Sequence, residues 1–126
     1  EPLSGYLALG NALAQRPDLH GEAFNFGPHS EQNHTVVELL HDLAVNWGFE
    51  NTDNAYIIAD NIPFHEAGLL KLDISKALNK LNWNPIWNSN MALKNTAVWY
   101  KNFLKGESAI SLIKNDINLF IENDSI

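Results

Sequence analysis

At 126 residues the chain is one domain's worth of polypeptide, long enough to bury a core, and its 45% hydrophobic and 18% charged residues describe a globular protein rather than a disordered one. A net charge of −7 with no cluster of Lys and Arg argues against nucleic acid or an anionic membrane surface as a partner, while a small anionic ligand held by backbone N–H groups remains allowed. The absence of cysteine excludes disulfides, thiolate catalysis and Cys-type zinc sites, and no apolar run reaches the roughly 18 residues of a membrane span.

The chain opens on Glu1, not on Met or a basic-then-apolar leader, and is expected to begin inside a longer reading frame. Pro2 suits a first helical turn, and Leu3, Tyr6, Leu7, Leu13 and Ala14 fall at helical spacing until Pro17 stops the helix. Gly5 and Gly10 inside it each cost up to about 1 kcal/mol against Ala, which close packing would explain. The alternation of Phe24 and Phe26, closed by Gly27-Pro28, predicts a strand over 22–27, followed by a polar loop from His29 to His34. Thr35 and Glu38 predict a capping box ahead of an apolar stripe from Val36 to Trp47, with Gly48 as the stop.

Strands are predicted over 55–59 and 69–72, separated by a loop punctuated by Pro63 and Gly68. Asp73 is placed to cap a short helix through Leu81. Trp83 to Trp87 reads as a rigid connector, and Asn88 as the N-cap of a long helix. That helix is predicted to turn Ala92, Leu93, Thr96, Trp99, Tyr100, Phe103 and Leu104 to the core and to close at Gly106. A last amphipathic stretch carries Leu112, Ile113, Ile117, Phe120 and Ile121. Helices alternating with short strands predict the α/β class, mostly helical, with too few strands for an independent sheet.

The chemistry-bearing motifs of an enzyme of this class are missing. No G-x-G-x-x-G follows a strand, no G-x-x-x-x-G-K-[ST] is present, and Gly10, Asp60 and Leu104 stand where a Lys would follow Tyr6, Tyr56 and Tyr100 by four positions. His34 and His41 lie seven apart with no H-E-x-x-H around them, so solvated histidines are expected there and no metal is assigned. The sequons at Asn33 and Asn123 are read as chance matches in an Asn-rich chain. No residue is a catalytic candidate and none is assigned to a cofactor. His65 and Glu66 differ in kind: they stand in a loop between two predicted strands, where scaffold-held polar groups often meet a ligand, although a turn satisfying its own backbone is the plainer account from the residues alone.

Several segments in order carry a resemblance: Glu1-Pro-Leu-Ser-Gly-Tyr-Leu7, Phe24-Asn-Phe-Gly-Pro28, His65-Glu-Ala-Gly-Leu-Leu-Lys-Leu-Asp73, Leu81-Asn-Trp-Asn-Pro85 and Thr96-Ala-Val-Trp-Tyr100. Together they resemble the C-terminal portion of the CDP-glucose 4,6-dehydratases, a branch of the extended short-chain dehydrogenases/reductases, over residues 1–107. Residues 108–126 form a tail that does not match closely. The resemblance implies a substrate-binding part of a Rossmann-type cytoplasmic enzyme whose missing N-terminal domain holds NAD and a catalytic Tyr and Lys. The implied hydro-lyase oxidises C4 of CDP-glucose, removes water across C5–C6 and reduces C6, feeding deoxysugars of surface polysaccharide such as lipopolysaccharide O-antigen.

It further implies His65 and Glu66 as nucleotide-side contacts, and Asn25 as a substrate-side residue or a tie to backbone. The fragment alone is expected to be inactive and to bind no cofactor. Asn82 departs from the family, where Gly is commoner, but Asn tolerates a left-handed backbone. Gly68 replaces a larger residue and is expected to loosen its loop. Two other readings stand beside this one: another nucleotide-sugar epimerase or dehydratase, and a non-enzymatic helical interaction module using the helix from Ala92 to Leu104. The isolated chain is expected to be marginally stable or to associate, and a homo-oligomer is compatible with the sequence.

Overall fold

A computed structural model describes residues 1–32, 34–57 and 72–124. Five α-helices appear among them: α1 (Pro2–Gln15), α2 (Val36–Trp47), α3 (Ser75–Leu81), α4 (Ser89–Leu104) and α5 (Ala109–Asp124), with 3-10 turns at Pro17–Leu19 and Thr52–Ala55. The chain divides into two compact units, one of Glu1–Asn33 and Lys71–Asn88, the other of His34–Leu70 and Ser89–Ile126.

In the first unit α1 starts at Pro2 and ends where Pro17 begins a 3-10 turn, as its spacing predicts. Its fixed point is Gly5, the buried residue of the helix, where the Phe26 ring fills the space a Cβ would occupy. Gly10 has nothing near it, so the packing explanation holds for the first glycine only. Phe26, Ile74, Ala77 and Trp83 form the core, with Ala8, Leu9, Phe24, Leu78 and Leu81 packed around them. Phe26 meets Tyr6 and Trp83 edge-to-face at centroid distances of 5.5 and 5.1 Å, a geometry in which each aromatic pair adds about 0.5–1.5 kcal/mol beyond area burial.

A polar clasp closes this unit. The Trp83 indole N–H donates to Ser4 Oγ at 2.9 Å, and Ser4 Oγ donates to the Glu1 carbonyl at 2.7 Å. The Glu1 carboxylate accepts from the Ile86 and Trp87 backbone N–H groups at 3.0 and 2.6 Å. Arg16 donates to the Lys80 carbonyl at the end of α3 (2.7 Å) and pairs with Asp18 (2.8 Å). Asn82 ends α3 with φ 52°, the left-handed conformation anticipated from its identity.

In the second unit the Thr35–Glu38 capping box forms in both directions: Glu38 N–H donates to Thr35 Oγ1 at 3.2 Å and Thr35 N–H to the Glu38 carboxylate at 2.7 Å. Gly48 ends α2 with φ 93°. α2 packs on α4, and each helix buries an alanine, Ala44 and Ala97. α5 follows α4 through a turn at Gly106 (φ 92°) and buries Leu112.

Two expectations are corrected. The described residues contain no strand, so the few-stranded α/β reading gives way to a helical one. Residues 22–27 have no partner ladder; side chains hold them instead, through Lys76 Nζ to the Ala23 carbonyl (3.1 Å) and the Phe26 ring in the core. Of the 55–59 run, Ala55 belongs to a 3-10 turn opened by an Asn51 side-chain cap on Asp53, and Tyr56 and Ile57 form no strand. The rest of it, and all but Leu72 of 69–72, lie outside the described residues. The second correction concerns α4. Ala97 is its buried residue and Ala92, Leu93 and Trp99 of the predicted face are half-buried, while Thr96, Tyr100, Phe103 and Leu104 are exposed, so the predicted core face is only partly covered.

Candidate functional site

Of the three sequence-derived site residues, His65 and Glu66 lie outside the described residues. Asn25 is described and exposed in the first unit, in the segment that leads from the helical start of the chain into the core residue Phe26. Its side-chain N–H donates to the Asp73 carbonyl at 3.2 Å. The Asp73 carboxylate accepts from the Ser75 backbone N–H at 2.9 Å, a local turn ahead of α3, whose N-cap is Ile74 rather than the predicted Asp73.

The same two segments are joined again one turn further along α3. Lys76 and Lys80 both reach the Glu22 carboxylate, at 3.0 and 2.6 Å, and Lys76 lies over the Phe24 ring at 5.2 Å. Hydrogen bonds from Lys80 and then Lys76 hold the Glu22 carboxyl below the usual glutamate range. Residues 22–25 and 73–80 are therefore stitched by side chains across a long sequence separation, which fixes the backbone around Asn25.

Beside this stitch lies a recess of about 300 Å³ lined by His29, Ser30, Leu72, Asp73, Ile74, Ser75 and Leu78. Gly27 faces Leu72 there, at ordinary contact distance from the place its missing Cβ would take. Sequence reasoning treats His29–His34 as a plain polar loop and misses this recess. The available signal was the position of that loop, directly after the Phe24–Pro28 segment.

The second unit carries an open groove of about 500 Å³ lined by His34, Val37, Glu38, His41, Asp42 and Tyr56. His41 Nδ1 stands 3.5 Å from Asp42 Oδ1, and Glu38 is committed to the helix cap, whose backbone and hydroxyl hydrogen bonds from Thr35 lower its carboxyl pKa. Among the described residues no group of three or more His, Asp or Glu side chains is placed to hold a metal ion. No helix of the described residues is long and apolar enough to cross a membrane.

Comparison with known proteins agrees with the motif run. Over 119 residues, 94% of its length, the chain is 34% identical to the CDP-glucose 4,6-dehydratase of Salmonella typhimurium (strain LT2). The match falls in the C-terminal part of that enzyme, and the chain spans about a third of its length (32%). The resemblance to the C-terminal portion of this enzyme is thereby borne out. No protein-family model matches the chain, and no solved structure matches it at significance.

Proposed function

We propose that this chain is the C-terminal, substrate-side part of a CDP-glucose 4,6-dehydratase, a cytoplasmic hydro-lyase of nucleotide-sugar metabolism. The observation that carries the reading is the identity of 34% over 94% of the chain, on top of motifs that stand in the same order. Residues 1–107 are the substrate-binding region and residues 108–126 an amphipathic tail. The whole enzyme converts CDP-glucose into CDP-4-dehydro-6-deoxyglucose with net loss of one water, a product suited to deoxysugars of surface polysaccharide such as O-antigen.

NAD is the cofactor of the whole enzyme on this reading. The chain itself offers no glycine-rich turn into a helix and no Tyr-x-x-x-Lys, so its residues do not fit a dinucleotide or a proton relay at the sugar. Both belong to an N-terminal Rossmann domain, and the fragment alone is inactive and binds no cofactor. What this chain supplies is substrate grip: His65 and Glu66 from the 63–68 loop toward the nucleotide, with Asn25 on the substrate side of the first unit.

The reading predicts nucleotide selectivity. Thermal-shift titration of the longer enzyme with CDP-, UDP-, GDP- and dTDP-glucose is expected to give the largest stabilisation with CDP-glucose. A clear preference for another nucleotide overturns the CDP assignment in favour of a related epimerase or dehydratase.

A further inference from the structure

The last helix, α5, carries two rows of side chains along its length, and only one of them faces the rest of its unit. Ala109, Leu112, Asp116 and Phe120 fall at helical spacing and are buried or half-buried. One residue on, about 100° round the helix, Ile110, Ile113, Ile117 and Ile121 form a second row, 68%, 49%, 52% and 57% exposed. A further step round, the outer flank holds Lys114, Asn118 and Glu122, all exposed. Single exposed apolar side chains are ordinary, but four isoleucines in line are an interaction surface.

The flank says what fits the row. Turned antiparallel about Ile117, a second copy of α5 sets its Ile121 against Ile113 and its Ile117 against Ile117. The same turn brings Lys114 opposite Glu122 of the second copy, twice by symmetry, and the two Asn118 amides opposite each other. Neither Lys114 nor Glu122 has an ion-pair partner among the described residues. Asp124 falls beside Ile110 at the ends of the pair, where its carboxylate stays in water. A parallel pair would instead set each outer flank against the inward side of the other helix, which is turned into its own unit.

We propose that the isoleucine row of α5 is an interface between two copies of this chain, an antiparallel helix pair with Ile117 on the twofold axis and Lys114–Glu122 pairs on its outer edge. The inference does not depend on the dehydratase reading. A seam of one helix per copy is small against the roughly 800 Å² per partner of a standard interface, so association in the micromolar range or weaker is expected.

The chain has no cysteine, so single-cysteine variants report this geometry directly. Under mild oxidation Ile117→Cys is expected to crosslink to itself as a dimer. Ile113→Cys alone is not, because about 12 Å along the axis separates the two copies of that position, beyond the reach of a disulfide; mixed with Ile121→Cys it is. Lys114→Glu is expected to weaken dimerisation roughly threefold to tenfold by sedimentation, and Lys114→Glu with Glu122→Lys to restore it. The substituted side chains are exposed, and circular dichroism melts report that each variant is folded. The Ile117→Cys crosslink is also expected in the longer enzyme, compared with the same protein without the substitution, and that result decides alone if the 126-residue chain does not fold by itself. No crosslink at Ile117, equal crosslinking by Ile113→Cys alone, or a charge swap that fails to restore association each overturns the proposal. A crosslink in the 126-residue chain that is absent from the longer enzyme overturns it too, and assigns the row to the N-terminal portion.

Discussion

Gly5, Ser4 and Glu1 show what the opening motif of this chain does. Glu1-Pro-Leu-Ser-Gly is part of what marks the chain as a relative of the dehydratases, and here its residues build the core: Glu1 and Ser4 clasp the Trp83–Trp87 connector, and Gly5 admits the Phe26 ring. A Gly5→Ala variant must displace Phe26 and is expected to lose about 1–3 kcal/mol of stability, whereas Gly10→Ala, with open space around it, is expected to be neutral or to gain up to about 1 kcal/mol. Ser4→Ala leaves the buried Trp83 N–H without its partner and is expected to cost about 1–3 kcal/mol. Denaturant unfolding of the three variants checks all of these together. If Gly5→Ala and Gly10→Ala move stability equally, the packing account of Gly5 fails.

Glu22 adds a pH dependence at the same scale. Its folded pKa is depressed by Lys80 and Lys76, so the stability it contributes is complete above the ordinary glutamate range and is lost as pH falls through that range toward the lower folded value. Glu22→Gln should therefore lower stability at neutral pH, where the ionised carboxylate contributes, and converge with the unaltered chain at acid pH, which flattens the acid limb of the profile. An acid limb identical to that of the unaltered chain contradicts it.

Among the elements, those whose ends are set by local chemistry were legible in the sequence. The capping box at Thr35, the left-handed stops at Gly48 and Asn82 and the Pro17 boundary all follow from residues acting on their own backbone. What depended on distant partners was not legible. Phe24 and Phe26 alternate like a strand, but a strand needs a ladder, and residues 22–27 meet α1, α3 and lysine side chains instead. The aromatic run of α4 suggests a core face, yet Ala97 is the residue this helix buries, and Tyr100 and Leu104 are exposed. The recess at His29 escaped for the same reason, since it is made by segments far apart in sequence.

Apolar faces left uncovered on α1 carry a prediction of their own. Leu3 and Leu7 are 73% and 76% exposed, on the side of α1 away from the Phe26 contact of Gly5. On the function proposed above, an N-terminal domain of the longer enzyme would cover this face. Leu3→Ser with Leu7→Ser is expected to leave the melting of the isolated chain within about 1 kcal/mol of the original while reducing its self-association. In the longer enzyme the same pair should lower stability by more than that, measured by thermal unfolding. Equal effects in both contexts would show that nothing docks on this face.

For the molecule as a whole, the chain is expected to be marginally stable or associated when isolated, because its two units expose large apolar side chains on several helices. A cooperative melt of a dilute monomer counts against that. The central claim, that the chain is the substrate-side part of a CDP-glucose 4,6-dehydratase, is tested most directly by turnover. The chain joined to its upstream N-terminal portion is supplied with NAD and CDP-glucose, and the products are followed by mass. The account predicts loss of one water to give CDP-4-dehydro-6-deoxyglucose, with no conversion by the 126-residue chain alone. Unchanged CDP-glucose in the joined protein, or conversion only of a glucose carried on another nucleotide, contradicts it.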